Sequence, residues 1–270
     1  MNSQRILKYL LEKRNVDLSV YDESFLKNVV DRRLEILSIA DINEYMKLIF
    51  RKEDEINCIL ESITVSYSEF FRNSLTFAVL EKIILPRYFS ENKQKELIIW
   101  SVACAGGQEA YSLSILLNEL NDRLGRDIKY RIFASDISKA QIKKAITGFY
   151  KIHELGNINI YTLNKYFQKY EDGYFVKDSI KKNIDFSVLD LFDKKITCPA
   201  NSLFSDFDII ICANILFYIN KAKRAKLIER LSNSLSKSGL IITGEVEREI
   251  IQQHKFIEIV PNSAIFKRKE

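Results

Sequence analysis

Glycine and proline are scarce in this 270-residue chain, at eight and three residues. So few chain-breakers, beside 47% hydrophobic and 29% charged residues, exclude a disordered, collagen-like or low-complexity array. No stretch approaches the ~18 uninterrupted apolar residues that a membrane-spanning helix needs. The opening MNSQRILKYLLEKRN also lacks the apolar core and small-residue cleavage site of a secretory signal. The expectation is a cytoplasmic protein without membrane insertion. Four cysteines (Cys58, Cys104, Cys198 and Cys212) stand far apart, with no CxxC or CxxH spacing among them, so neither a disulfide framework nor a zinc site is expected. Two histidines, His153 and His254, are too few for a histidine-rich metal centre, and no metal is expected.

Charge of one sign is not concentrated either. The net charge is +5, but residues 1–62 hold 10 Lys/Arg against 12 Asp/Glu and the remainder holds 31 against 24. The excess is scattered in pairs such as Lys143-Lys144 and Lys181-Lys182. A nucleic-acid-binding stripe needs clustering on one face, so no nucleic-acid partner is expected.

What is present is periodicity, of two kinds. Residues 1–62 read as helices only. Ile6, Leu7, Leu10 and Leu11 keep helical spacing, as do Phe25, Val29, Val30, Leu34 and Leu37. Asp41 is placed to cap a third helix carrying Tyr45, Leu48 and Ile49, and Ile56, Ile59, Leu60 and Ile63 mark a fourth. Residues 63–96 read as a linker and an entry helix. From residue 97 strands alternate with helices: strands at 97–103, 130–135, 207–212 and 240–244, and helices near 109–120, 139–147 and 221–235. That alternation implies right-handed crossovers and a mostly parallel α/β sheet. Residues 256–260 and 263–267, joined through Pro261-Asn262, read as a terminal antiparallel hairpin. Residues 148–184 form an insertion whose Tyr-rich alternation near 173–176 suggests short antiparallel strands.

Ligands of such sheets bind beyond the carboxyl ends of the strands, where strand order reverses. Three strand ends carry suitable residues. The first reads Ala103-Cys-Ala-Gly-Gly107-Gln-Glu109, whose small residues admit a ligand and whose acid suits a cationic group. The second ends in Asp136, fitted to two ribose hydroxyls or, alternatively, to a helix start with Ser138. The third offers Asp190-Leu191, a polar–apolar pair suited to an adenine or to a simple turn. In chain order the three point to an adenosine-type cofactor.

Four segments then occur in order: TVSYSEFFR at 64–72, SVACAGGQEAYS at 101–112, FASD at 133–136 and CANILFY at 212–218. Together they resemble the CheR family, the chemotaxis receptor methyltransferases, from about residue 10 to the C-terminus. The resemblance implies a class I S-adenosylmethionine-dependent methyltransferase sheet over 97–270, with a small β-subdomain inserted at 148–184 and an all-α N-terminal domain before it. It implies S-adenosylmethionine as cofactor, S-adenosylhomocysteine as product, and methyl esterification of glutamates on the cytoplasmic helical bundle of chemoreceptors. Under it Glu109 holds the methionine amino group, Asp136 the ribose, and Asp190 and Leu191 the adenine. Arg72 and Tyr218 fall beside the transferring methyl, as catalytic residues. Asn214 lines the same pocket with Ala103 and Gly107, and Ser66 and Ser68 lead to Arg72. Lys27, Arg32 and Arg33 match a basic helix that docks receptors, although Asp31 and Glu35 dilute its charge.

The chain departs from the family pattern at Ala213, where an arginine is usual, at Gly107-Gln-Glu-Ala110 in place of G-E-E-P, and at Glu245-Val-Glu247 in place of H-S-E. These departures keep two alternatives open: a cofactor-binding adaptor with weakened catalysis, and a methyltransferase for another substrate. In some relatives the inserted subdomain tethers a receptor's C-terminal pentapeptide. Here only Gln168-Lys-Tyr-Glu-Asp-Gly173 separates Tyr166-Phe167 from Tyr174-Phe175, which suits a plain hairpin, so no tail-pentapeptide binding is expected.

Overall fold

The computed structural model describes residues 6, 9, 18–63, 68–92, 95–125, 127–193, 198–199 and 206–269. The chain forms two compact units, Met1–Val65 with Phe217–Lys226, and Ser66–Leu216 with Leu227–Glu270.

The first unit is built on helices Glu23–Leu37, Ile42–Arg51 and Glu53–Ile63. Asp22 and Asp41 cap the first two, accepting from the amides of Ser24 and Asn43 at 2.9 and 3.1 Å. The apolar stripes meet as one core of Leu26, Val29, Val30, Tyr45, Met46, Ile49, Ile56, Ile59 and Ile63. Of the expected first-helix residues Ile6 is buried, while Leu7, Leu10 and Leu11 lie outside the described residues. The segment 217–226 joins this unit through an isolated bridge between Tyr21 and Ile219 and the Asp22 amide, which donates to the Tyr218 carbonyl at 2.7 Å.

Among the described residues the second unit holds ten strands: β1 (Leu97–Val102), β2 (Tyr130–Asp136), β3 (Phe149–Lys151), β4 (Phe167–Tyr170), β5 (Gly173–Val176), β6 (Ile184–Val188), β7 (Phe207–Ile211), β8 (Leu235–Ile242), β9 (Phe256–Glu258) and β10 (Ile265–Arg268). Seven form one sheet in the order β6-β2-β1-β7-β8-β10-β9, parallel throughout except for β10 against β8 and β9. Strand order reverses between β1 and β7, which places a ligand crevice at their carboxyl ends. All six residues of β1 are buried, as a central strand covered on both faces requires. Helix Gln108–Leu124 follows β1 and helix Lys139–Thr147 follows β2.

β8 begins at Leu235, well before the expected 240. Its first half reads Leu-Ser-Lys-Ser-Gly, too polar to show as a buried run, yet Leu235 pairs with Phe207 before the register shifts. A side chain at Gly239 would come within 2.8 Å of the Phe207 carbonyl, so glycine is what lets the two strands close.

The insertion forms a separate antiparallel sheet, β3-β5-β4, with a 3₁₀ turn Ile152–Leu155 and a helix Ile160–Tyr166 that the tyrosine pattern did not show. β4 extends to Tyr170, so only Glu171-Asp172 makes the turn, with Glu171 left-handed at φ 44°. Phe70, Tyr150, Phe167, Val176 and Ile180 share a core here with Tyr111 and Ile115 of the helix after β1.

Candidate active site

The loop after β1 is bent by three left-handed residues, Ala103 (φ 54°), Ala105 (φ 46°) and Gly107 (φ 89°). Backbone bonds stitch it to its neighbour: the Cys104 amide donates to the Ser135 carbonyl at 3.0 Å, and the Gly107 amide to the Cys104 carbonyl at 2.9 Å. A side chain at Gly107 would meet Ala145 at 2.8 Å and the Phe186 ring at 3.2 Å. Its smallness therefore serves helix packing and the turn; its amide is already engaged within the loop. The Tyr150 hydroxyl donates to the Gly106 carbonyl and fixes the next corner.

Glu109 lies in the first turn of the helix that this loop opens. The Ser101 hydroxyl donates to its carboxylate at 2.6 Å. Burial pushes the Glu109 carboxyl up to about 7; the Ser101 hydrogen bond and the charge of Arg72 oppose that rise, and the charge of Glu247 adds to it. Arg72 is thus close enough to act on Glu109, although 37 positions separate them in the sequence. Three contacts hold its segment there. The Phe71 amide donates to the Ser112 hydroxyl at 2.9 Å, that hydroxyl donates to the Gln108 carbonyl at 2.7 Å, and Asn157 donates to the Phe70 carbonyl at 3.1 Å. Phe71 (φ 51°) and Asn73 (φ 60°) are both left-handed, so Arg72 sits at the apex of a sharp turn.

Asp136, at the end of β2, accepts the Ala105 amide at 2.9 Å and the Ser138 amide at 2.8 Å. Ser138 itself caps the following helix, accepting from the Gln141 amide at 3.3 Å. Asp136 therefore steadies the helix start, and a carboxylate with about four acceptor positions keeps room for further donors. Burial raises the Asp136 pKa against those two amide bonds. The Leu189 amide donates to the Asp136 carbonyl at 2.9 Å, which brings the third strand end alongside the second. There the Asp190 side chain accepts from the Phe192 amide at 2.8 Å, a turn geometry, and Arg230 holds the Leu191 carbonyl at 2.7 Å.

At the fourth strand end Asn214 is left-handed at φ 63°, and its amide donates to Glu247 at 2.7 Å. Glu247, fully buried, also accepts the amides of Gly244 at 2.8 Å and Leu216 at 2.6 Å. The structure therefore brings the Arg72 charge to Glu109 and the Asn214 amide to Glu247, with Asp136 and Asp190 at the neighbouring strand ends. Ser66 lies outside the described residues; Ser68 is partly buried, two residues before Phe70. Tyr218 packs its ring on Phe25 at 4.6 Å and Phe217 at 4.0 Å, within the first unit.

Among the basic-helix residues the structure separates Arg33 from the other two. Lys27 and Arg32 are exposed. Arg33 makes a two-pronged ion pair with Glu55 at 2.9 and 2.7 Å, and the Tyr45 hydroxyl donates to the same carboxylate at 2.6 Å. Its guanidinium is committed to the helical core, because a buried carboxylate needs that partner.

Sequence reasoning missed Ser101, Ser112, Asn157 and Glu247. Ser112 and Glu247 stood inside motifs already singled out, but their bonds reach residues 41 and 33 positions away. No local pattern encodes such a pairing.

The donor set fits an adenosyl amino acid: an acid for a cationic amino group, an acid for hydroxyls, and small left-handed residues that leave the crevice open. The family model described as CheR methyltransferase, SAM binding domain, matches residues 66–265, and the CheR methyltransferase all-alpha domain matches residues 1–64. A chemotaxis protein methyltransferase of Borreliella burgdorferi is 26% identical over 262 residues, covering 95% of this chain and 90% of the relative. That of Escherichia coli K12 is 27% identical over 251 residues, covering 90% and 83%. A probable biofilm formation methyltransferase of Pseudomonas aeruginosa, WspC, is 24% identical over 267 residues, covering 98% of this chain and 62% of the relative. No helix among the described residues is long and apolar enough to cross a membrane. With its sheet, its strand-end acids and both domain models in agreement, the chain belongs to the CheR methyltransferase family and is an S-adenosylmethionine-dependent methyltransferase.

Proposed function

We propose that this enzyme is a cytoplasmic protein-glutamate O-methyltransferase that forms methyl esters on the cytoplasmic helices of chemoreceptors in chemotaxis. The observation that carries the reading is the turn bearing Arg72, held by the Phe71–Ser112 and Asn157–Phe70 bonds, with the Arg72 charge acting on Glu109. A carboxylate acceptor gains most from such a cation, because attraction draws it to the crevice before reaction.

S-adenosylmethionine, when bound, supplies an electrophilic sulfonium methyl. Glu109 receives its amino group, Asp136 the ribose, and Asp190 with Leu191 the adenine. The acceptor glutamate needs no general base, since its ordinary pKa of about 4.3 leaves it ionised near neutrality. The cofactor would supply the methyl and its sulfur would leave with the bonding pair as a neutral thioether, so the acceptor carboxylate would lose its charge and no residue would have to take up a proton. Rate must then come from alignment and from removing water around the carboxylate. Arg72 steers that carboxylate; a tight two-pronged grip would quench its nucleophilicity, so the contact is a loose one. We carry Tyr218 forward as the second residue of the transfer step on the family resemblance, and Lys27 and Arg32 as receptor-docking cations.

The two-residue turn between β4 and β5 supports a closed hairpin rather than a tail-receiving loop, and we propose that methylation does not depend on a receptor tail. Incubation of the enzyme and labelled cofactor with tailless receptor fragments tests the function. Label should enter the fragments, and not variants whose acceptor glutamates are replaced by alanine. Cofactor binding without incorporation would identify an adaptor instead.

A further inference from the structure

We propose that Glu247 is a positioning residue of the cofactor site, whose carboxylate locks the ends of β7 and β8 together and so presents Asn214 to the crevice. The residue is fully buried, and nothing in the transfer chemistry above uses it. One oxygen accepts from the amides of Asn214 at 2.7 Å and Gly244 at 2.8 Å, and the other from the amide of Leu216 at 2.6 Å. Three charge-assisted bonds to one carboxylate, drawn from two strand ends, are more than a helix start requires. They also fix Asn214 at φ 63°, in the left-handed region that asparagine enters more readily than other residues bearing a side chain. Gly244 completes the fit: a side chain there would lie 2.4 Å from the Asn214 amide nitrogen. The Asn214 side chain is thus seated on bare backbone.

The same charge reaches the cofactor crevice. Glu109 is faced by Ser101 from β1, Arg72 from the preceding loop, the buried thiols Cys104 and Cys212, and Glu247; Glu247 raises the Glu109 pKa while Arg72 lowers it. Glu247 thus acts on the crevice by its charge as well as through the strand ends, and dependence on Asn214 is what separates positioning from plain stability.

The inference rests on the cofactor reading of the strand ends and not on the methyl acceptor. It is therefore read on product binding alone, and a failure of receptor methylation leaves it standing. Affinity for S-adenosylhomocysteine is measured by calorimetry between about pH 5.5 and 8.5 in the wild type, Glu247→Gln and Glu247→Asp, each also in an Asn214→Ala background. Glu247→Gln removes the charge, so Glu109 ionises at lower pH and the acidic limit of binding moves down by roughly half a unit or more. Glu247→Asp keeps the charge but withdraws the oxygens. It should leave that limit in place and weaken binding about five- to tenfold, a loss that disappears when Asn214 is already alanine. Should Glu247→Gln show no cooperative melt, the aspartate variant and its cycle decide. Losses of equal size with and without Asn214, or wild-type affinity and pH profile in the Glu247 variants, would overturn the assignment.

Discussion

The amide of Phe71 donates to the hydroxyl of Ser112 over 2.9 Å, and through that bond the turn bearing Arg72 is carried on the helix Gln108–Leu124, whose first turn holds Glu109. The two most recognisable segments of the chain, FFR at 70–72 and E-x-Y-S at 109–112, are therefore one structural device. Tyr111 and Ser112 divide the labour: the Tyr111 hydroxyl ties the helix to the Ala145 carbonyl at 2.6 Å, and Ser112 ties it to the Arg72 turn.

Replacing Ser112 by alanine leaves the Phe71 amide without this acceptor in a partly buried setting. The cost should be about 1–3 kcal/mol of stability. Methyl transfer should fall further than cofactor affinity, because Arg72 loses its support. Denaturant melts together with single-turnover rates check this; a variant with lowered stability and an unchanged rate would show that Arg72 is held by other means.

Loss of Asp136 should act on binding. Asp136→Ala removes the hydroxyl acceptor and also frees the amides of Ala105 and Ser138. Affinity for cofactor and product should drop by roughly 1.5–3 kcal/mol, as for a lost charged hydrogen bond. Unchanged affinity by calorimetry in a folded variant would remove Asp136 from the site.

Glu109 sets a pH dependence. Its folded carboxyl is pushed to about 7 against the usual 4.5, and the cofactor's amino group requires it ionised. Affinity should be full above about pH 7 and decline up to tenfold per unit below it. The cofactor-free protein should show the opposite trend in stability. With the folded value above the unfolded one, this group's contribution is intact below about 4.5 and is lost as pH rises through about 7. Melting curves with and without cofactor at pH 6 and about pH 8 measure both; parallel trends would show that Glu109 does not hold the amino group.

Much of this was legible in the sequence where the physics is local. β1 was visible because a strand buried on both faces is apolar at almost every position, here all but Ser101, and Asp41 because a cap acts within three residues. The acids at the first two strand ends stood out as candidates because open parallel sheets bind ligands beyond the carboxyl ends of their strands. Hidden features were those settled by distant partners. The polar opening of β8 is a strand only because Leu235 meets Phe207, and Glu247 is a clamp only because β7 delivers Asn214 and Leu216 to it. Arg33 reads as a surface cation along its helix, and only the arrival of Glu55 beside Tyr45 makes it part of the core.

Arg33 and Arg32 should consequently differ sharply despite their adjacency. Arg33→Ala leaves the buried Glu55 unpaired and should cost about 3 kcal/mol or more, whereas Arg32→Ala at an exposed position should change stability by less than about 0.5 kcal/mol. Urea unfolding measures both. Receptor docking is then tested by charge reversal at Lys27 and Arg32, since reversal at Arg33 would report on folding.

The most direct test of the proposed activity is the chemical nature of the transferred methyl. Enzyme, cofactor labelled in the methyl group and receptor cytoplasmic fragments are combined, and the labelled fragment is treated with mild alkali. A glutamyl ester predicts release of the label as methanol, with incorporation slowed by roughly 10²-fold or more in Arg72→Ala while cofactor affinity changes little. Label that survives alkali on the protein would mean transfer to nitrogen or another stable acceptor, and would contradict the glutamate esterification proposed for this enzyme.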